Sequence, residues 1–294
     1  YIESEIAKID GFIDEDVSLG NVGSKFIDQV KSMRDGEYKP VRIPTGIPHL
    51  DSKLPEGGIG NGEVMVISAP TSCGKSQLAL NIALRLAIRD KKGVVVFSLE
   101  MPSEQIFKRM VQISSCCNLE EANNSTDKDA AFKPIIEATE KVRDSPIYVY
   151  NHVRNISDLR AKCRNLKRKY DISMVVIDYL QLVPWDSRMS KNDGIAEVSH
   201  SIKQMAMELN IAVILLAQVN REGAKRGKLS VYDLKDSGDI ENDADIILMM
   251  WYSNYDMERS RKLDKSGKPY IDLSYSLVKN REGERDTVDK FIFD

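Results

Sequence analysis

Little in this sequence is set aside for cross-links or metal ligation. The 294 residues include four cysteines and three histidines. Cys73, Cys116, Cys117 and Cys163 form no C-x-x-C pair, and the adjacent Cys116 and Cys117 are badly placed for an ordinary disulfide. A reducing setting is the expectation. His49, His152 and His200 lack metal-ligand spacing and read as structural. No run of about 18 apolar residues could span a bilayer, and the first residues do not follow the basic-then-apolar pattern of a leader. Charge of one sign is also missing. The formal net charge is -3, so no global basic field draws nucleic acid, and any such contact must be local. Internal repeats and low-complexity segments are absent. Tyr1 is not an initiator methionine, and the chain is expected to be a piece of a longer protein.

What is present is the balance of a soluble globular protein, 42% hydrophobic and 30% charged, with enough residues for a large core. Residues 1–40 are polar and read as a linker region. Within it Phe26, Ile27, Val30 and Met33 recur at helical spacing. A helix this short is marginal alone, so its stripe needs a surface: its own domain, or a neighbouring subunit. From residue 41 onward a rhythm sets in. Apolar runs at 63–69, 94–99, 147–150, 174–178 and 211–217 are separated by helical segments. Continuous rather than alternating runs predict strands covered on both faces, hence an α/β fold with a mostly parallel sheet flanked by helices. Leu78, Ile82 and Leu86 mark the buried stripe of one helix. In another, Ser157 is the expected N-cap and Leu159, Cys163, Leu166 and Tyr170 point inward, leaving Arg160, Lys162, Arg164, Lys167 and Arg168 on a solvated face. Towards the C-terminus, YIDLSYSLVK and TVDKFIFD flank NREGERD and predict an antiparallel hairpin at a sheet edge.

The chemistry concentrates at strand ends. An apolar strand runs into Ala69, Pro70, Thr71, Ser72, Cys73, Gly74, Lys75, Ser76 and Gln77, a phosphate-binding loop followed by a helix. Backbone N–H groups, the positive end of a helix and a lysine are what a triphosphate needs, and Ser76 offers a hydroxyl to Mg²⁺. Ala69 stands where the usual first glycine would. The glycine before the lysine is the indispensable one, because backbone crowds the phosphate there. Asp178 closes MVVID as a metal-side carboxylate. Glu100 follows VVVFSL as a general base for an attacking water. Gln218 ends IAVILLAQ as an uncharged group able to sense the outer phosphate. Together they predict an ATPase site with a base.

The motifs PTGIPHLDSKL, SAPTSCGKSQ, FSLEMP, VVIDYLQLV, LLAQVNR, DLKDSGDIENDADIILMM and LVKNREG, in this order, resemble the RecA-like motor domain of DnaB-family replicative DNA helicases over residues 40–294. The resemblance implies a P-loop NTPase that uses ATP and Mg²⁺, forms a homo-hexameric ring, and moves 5′ to 3′ along single-stranded DNA. It implies primase and a helicase loader as partners, and the cytoplasm of a bacterial cell or phage-infected host as location. Lys75 and Ser76 fall on phosphate and Mg²⁺, Glu100 on the base, Asp178 on the metal side, Gln218 on the coupling residue. Lys279 and Arg281 match the pair that reaches a neighbour's ATP site. Lys235, Asp236 and Gly238 match a channel loop that grips DNA phosphates. The family typically has Arg-Glu where this chain has Lys235-Asp236, and Gln where it has Asn280; a lysine neutralises phosphate without the planar fork of arginine. Arg188 and Lys191, in the polar stretch 185–198, are candidates for a second channel loop. Two rivals remain open at this point: a RecA-type recombinase or mediator, and an ATP-gated ring assembly protein that never translocates.

Overall fold

The computed structural model describes residues 19–38, 41–186, 188–220, 223, 228–234, 237–254, 257–263, 269–284 and 288–293. The chain divides into two compact units, Tyr1–Val41 and Arg42–Asp294. In the first, helix α1 (Leu19–Arg34) leaves Leu19, Phe26 and Ile27 more than half exposed, with Val22, Val30 and Met33 close behind.

In the second unit, a short antiparallel pair, β1 (Arg42–Ile43) with β2 (Ile59–Gly60), precedes the main sheet. Then follow β3 (Val64–Ala69), α2 (Lys75–Arg89), β4 (Gly93–Ser98), α3 (Ser103–Ser115), α4 (Lys128–Arg143), β5 (Ile147–Tyr150), α5 (Ile156–Tyr170), β6 (Ile172–Asp178), α6 (Lys191–Leu209), β7 (Ala212–Gln218), α7 (Ser237–Asp243), β8 (Ile246–Tyr252), β9 (Arg261–Leu263), β10 (Pro269–Asn280) and β11 (Val288–Phe293). The nine-stranded sheet has the order β11-β10-β8-β3-β7-β6-β4-β5, with β9 paired to β10. Strands β3 to β8 pair in parallel, and β10 runs antiparallel to both β8 and β11. The mostly parallel α/β sheet and its C-terminal hairpin are those expected from the apolar runs.

Alternation along each strand feeds two cores. Met65 and Ile67 of β3 pack with Leu78, Ile82, Ile106, Met110 and Ala138 from α2, α3 and α4. Val64 and Val66 turn to the other face, with Leu159, Cys163, Val198, Ile202 and Met205 from α5 and α6. A side chain such as Ile82, with no exposed surface, contributes roughly 1.5–3 kcal/mol by leaving water, so α2 is fixed by its buried face. That matters because its first residues carry the site.

Three local expectations need correction. The N-cap of α5 is Asn155, whose side chain accepts from the Asp158 N–H at 2.9 Å, so the helix begins one residue before Ser157. Tyr170 is not inward: it is 39% exposed and stacks on Tyr148 with ring centroids 4.4 Å apart. Strand β5 is only half buried, as the outermost strand of the sheet must be.

Candidate functional site

Because β3, β4, β6 and β7 are parallel neighbours, their C-terminal ends form one rim. Ala69 pairs with Gln218 and Ser98 with Asp178, so Glu100 lies two residues beyond a strand end that adjoins Asp178. The phosphate loop leaves β3 at the same rim. Ala69 is buried as the last strand residue, which accounts for a methyl group being accommodated there. Gly74 has φ +80° and Ser72 φ +63°. The left-handed turn at Gly74 excludes most side chains and aims the start of α2 at the space above the loop.

That space is a cavity of about 720 Å³ lined by residues 71–77, Glu100, Met101, Arg109, Tyr252, Arg261, Tyr270, Ile271 and Leu273. Ser76 Oγ donates to Asp178 Oδ2 at 2.6 Å. Asp178 is 3% exposed, and its Oδ1 has no partner among the described residues. Burial pushes the Asp178 carboxyl above the ordinary range, Glu100 adds to this, and Ser76, Lys75 and Arg109 oppose it. A buried, half-satisfied carboxylate beside a hydroxyl is a donor set for a hard divalent cation. Among the described residues no group of three or more His, Cys, Asp or Glu gathers to hold a metal. An ion here would therefore complete its shell with water or ligand oxygens, as Mg²⁺ does on phosphates.

Around this centre the packing is specific. The Lys75 ammonium lies 5.7 Å from the centroid of the Tyr179 ring, within cation–π range. Tyr179 hydrogen-bonds Gln218, and burial pushes its hydroxyl upward. Tyr252 Oη donates to the Ser72 carbonyl at 2.7 Å, tying the phosphate loop to the end of β8. Burial drives the Cys73 thiol up to about 12 against the pull of Lys75, so the thiol stays neutral and serves as packing.

The other expected residues lie elsewhere. Lys279 and Arg281 are at the opposite edge of the sheet, where Asn280 pairs with Ile246 at the start of β8. Lys279 donates to the Glu241 carbonyl, and Arg281 donates to the Asn242 carbonyl at 2.8 Å and pairs with Asp245 at 3.2 Å. Asp245, 6% exposed, also accepts from Lys203 at 2.6 Å and from the Val64 N–H at 2.8 Å. Gly238 is exposed in α7, while Lys235 and Asp236 fall outside the described residues. Arg188 is 89% exposed and bonded to Asp186 at 2.5 Å, and Lys191 is the first residue of α6, capped by Ser190. The stretch 185–198 is thus mostly helix. The basic face of α5 is largely spoken for: Arg160 and Arg164 meet Glu208, Lys162 meets Asp158, and Lys167 meets Asp171.

Sequence reasoning missed Arg109, Tyr252, Arg261 and Tyr270. Arg109 left a faint trace, since Ile106 and Met110 fix the buried side of α3 and leave a basic residue turned from it. The other three reach the cavity from strands far along the chain, and no local pattern announces them.

A phosphate-binding loop at the rim of a RecA-like sheet defines the class, a P-loop nucleotide-binding domain. The comparisons with known proteins narrow it. The family model described as the DnaB-like helicase C terminal domain matches residues 42–294, and the chain belongs to that family. It is 32% identical to the replicative DNA helicase DnaB of Geobacillus stearothermophilus over 87% of this chain and 55% of that protein. With the DnaB of Leifsonia xyli it shares 29% over 97% of this chain and 62% of the other. The chain thus spans little more than half the length of these relatives. Among solved structures, the ATPase domain of G40P superposes with a TM-score of 0.78 at 24% identity, covering 94% of this chain and 95% of that one. A DnaB-like replicative helicase described with its primase interactions gives 0.76 at 24% identity, covering 98% and 68%. At that identity the likeness shows the fold.

Proposed function

We propose that this domain is the ATP-hydrolysing motor of a replicative DNA helicase that unwinds duplex DNA. The observation that carries the reading is the rim itself: Ser76 bonded to Asp178, Asp178 Oδ1 left open, and Glu100 facing the same cavity. The N–H groups around Gly74 and the Lys75 ammonium would bind the phosphates of ATP. Ser76 and Asp178 would hold Mg²⁺, which when bound neutralises phosphate charge. Glu100 orients the attacking water and takes its proton. Gln218, through Tyr179, reports the state of the phosphate to β7. The aromatic and apolar wall of Tyr252, Tyr270 and Ile271 suits the base.

Lys279 and Arg281 sit at the edge of the sheet away from their own loop, so a role in hydrolysis places them in another copy's site. This supports a closed ring, with six copies as in the family it resembles. The exposed stripe of α1 then docks on a neighbouring copy. Lys235, Asp236 and Gly238, with Arg188 and Lys191 at the start of α6 as a second contact, grip single-stranded DNA in the channel, and translocation runs 5′ to 3′. Primase and a loader are the proposed partners, and the cytoplasm the proposed location. No helix among the described residues is long and apolar enough to cross a membrane. Family membership favours this reading over a recombinase. The test is ATP-dependent unwinding of a forked duplex carrying one tail of either polarity. Unwinding that requires the 5′ tail is expected; DNA-stimulated hydrolysis with no unwinding on either fork would overturn the reading.

A further inference from the structure

Tyr232 is 86% exposed, yet the backbone of its turn is hydrogen-bonded to the segment that follows β7. It is the middle residue of a 3-10 turn, Val231–Asp233, closed by a reciprocal cap in which the Asp233 carboxylate accepts from the Ser230 N–H at 2.9 Å. Asp233 is 2% exposed, and the flanking Leu229 and Leu234 are buried. The Asn220 N–H donates to the Asp233 carbonyl at 2.8 Å, and Val219 forms an antiparallel bridge with Leu234. A large ring in water on a fixed backbone loses little entropy on binding, which is the design of a contact residue rather than of a loose loop.

The position of the turn indicates what the ring contacts. Val219 directly follows Gln218, the last residue of β7 at the nucleotide rim. The turn is therefore joined by backbone to a group that hydrogen-bonds Tyr179 beside Lys75. Three residues past Tyr232 in sequence comes Lys235, the lysine read above as a phosphate contact. Phosphate contacts by local lysines release counterions in proportion to their number, whatever the net charge of the chain. A flat π-face adds binding that does not depend on charge, and every nucleobase offers a matching face.

We infer that Tyr232 is a base-stacking platform for single-stranded DNA, a contact separate from the phosphate grip. The inference rests on the helicase reading. Stacking holds a base without reading its edge, so the contact is tolerant of sequence, as a moving motor requires. Its connection to β7 gives hydrolysis a route to shift the platform.

The experiment measures binding of the 294-residue chain to two labelled strands of equal length, oligo-dT and an abasic sugar–phosphate strand, with a non-hydrolysable ATP analogue present. Tyr232→Ala is expected to weaken oligo-dT binding by roughly 5- to 100-fold and to leave abasic binding unchanged. The salt slope stays the same, because no charge is removed. Tyr232→Phe keeps the unaltered protein's affinity. Unchanged oligo-dT binding by Tyr232→Ala overturns the inference and leaves the helicase reading standing. An equal loss on both strands also overturns it, and assigns Tyr232 to a contact between protein copies. If the unaltered chain binds neither strand, the DNA reading itself fails.

Discussion

The two edges of the central sheet treat charge in opposite ways. At the rim where β3, β4, β6 and β7 end, Asp178 keeps a buried oxygen without a partner among the described residues, and Glu100 is exposed at the mouth of a cavity. At the other edge, charges are matched within the chain. Asp245 accepts from Val64, Lys203 and Arg281, and Lys279 donates to a carbonyl at the end of α7. An unsatisfied buried carboxylate costs free energy, which a fold retains where a ligand will supply the missing partner. A satisfied arginine is different, since it must exchange one set of acceptors for another before it acts on a second molecule. With 47% of its side chain exposed, Arg281 gives up little by the exchange. One edge leaves a buried carboxylate oxygen open among the described residues, and the other matches its charges within the chain.

The comparison breaks most visibly at Arg281. Arg281→Ala should lower ATP turnover about 10³-fold, the scale of an arginine that stabilises transferring phosphate. Mixing it with Lys75→Ala should restore part of the activity, because each variant damages a different side of a shared site. If no mixing ratio recovers turnover while the two variants co-assemble, the matched edge does not serve a neighbour's rim. A smaller effect is expected at the open rim. Glu100→Gln should cut hydrolysis by roughly 10²-fold with nucleotide affinity retained in a calorimetric titration. Near-normal turnover would remove Glu100 from the role of base.

How legible each edge was in the sequence follows from its physics. The open rim could be read because strands buried on both faces give unbroken apolar runs, and the polar residue that ends each run stands out: Asp178, Gln218, and Glu100 just past its strand. The phosphate loop was readable because its glycine and lysine follow a local pattern, and Gly74 has a positive φ. The matched edge was not readable beyond Lys279 and Arg281. Asp245 stands inside a run of acidic residues, and only the pairing of β3 with β8 brings it to Lys203 and Val64, 42 and 181 positions away. Tyr252 and Tyr270 likewise reach the cavity through sheet order, which apolar periodicity does not encode. Boundaries slipped where two side chains competed for one cap, as Asn155 and Ser157 did, and where a polar stretch hid the start of α6.

A small change in stability shows whether the rim around Asp178 carries a cost in the ligand-free protein. Burial raises the Asp178 carboxyl above its ordinary value, with Glu100 adding to the shift and Ser76, Lys75 and Arg109 reducing it. A carboxyl raised on folding binds its proton more tightly in the folded state than in the unfolded one. Its contribution is thus most favourable below the unfolded value and is lost as pH rises through the folded value. Above the unfolded value, burial of the carboxyl is a net cost to folding. Asp178→Asn removes the charge and can still accept from Ser76. The ligand-free variant should therefore melt about 2 °C higher at neutral pH, the shift expected for relieving a strained site in a domain of this size. The gain should shrink as pH falls, because the native carboxyl takes up its proton more readily than an unperturbed one. Hydrolysis should fall in the same variant, and Mg²⁺ with nucleotide should raise its melting temperature less than it raises that of the unaltered chain. A lower melting temperature at neutral pH would mean that Asp178 stabilises the ligand-free fold through Ser76, and that the rim is as satisfied as the edge it is contrasted with.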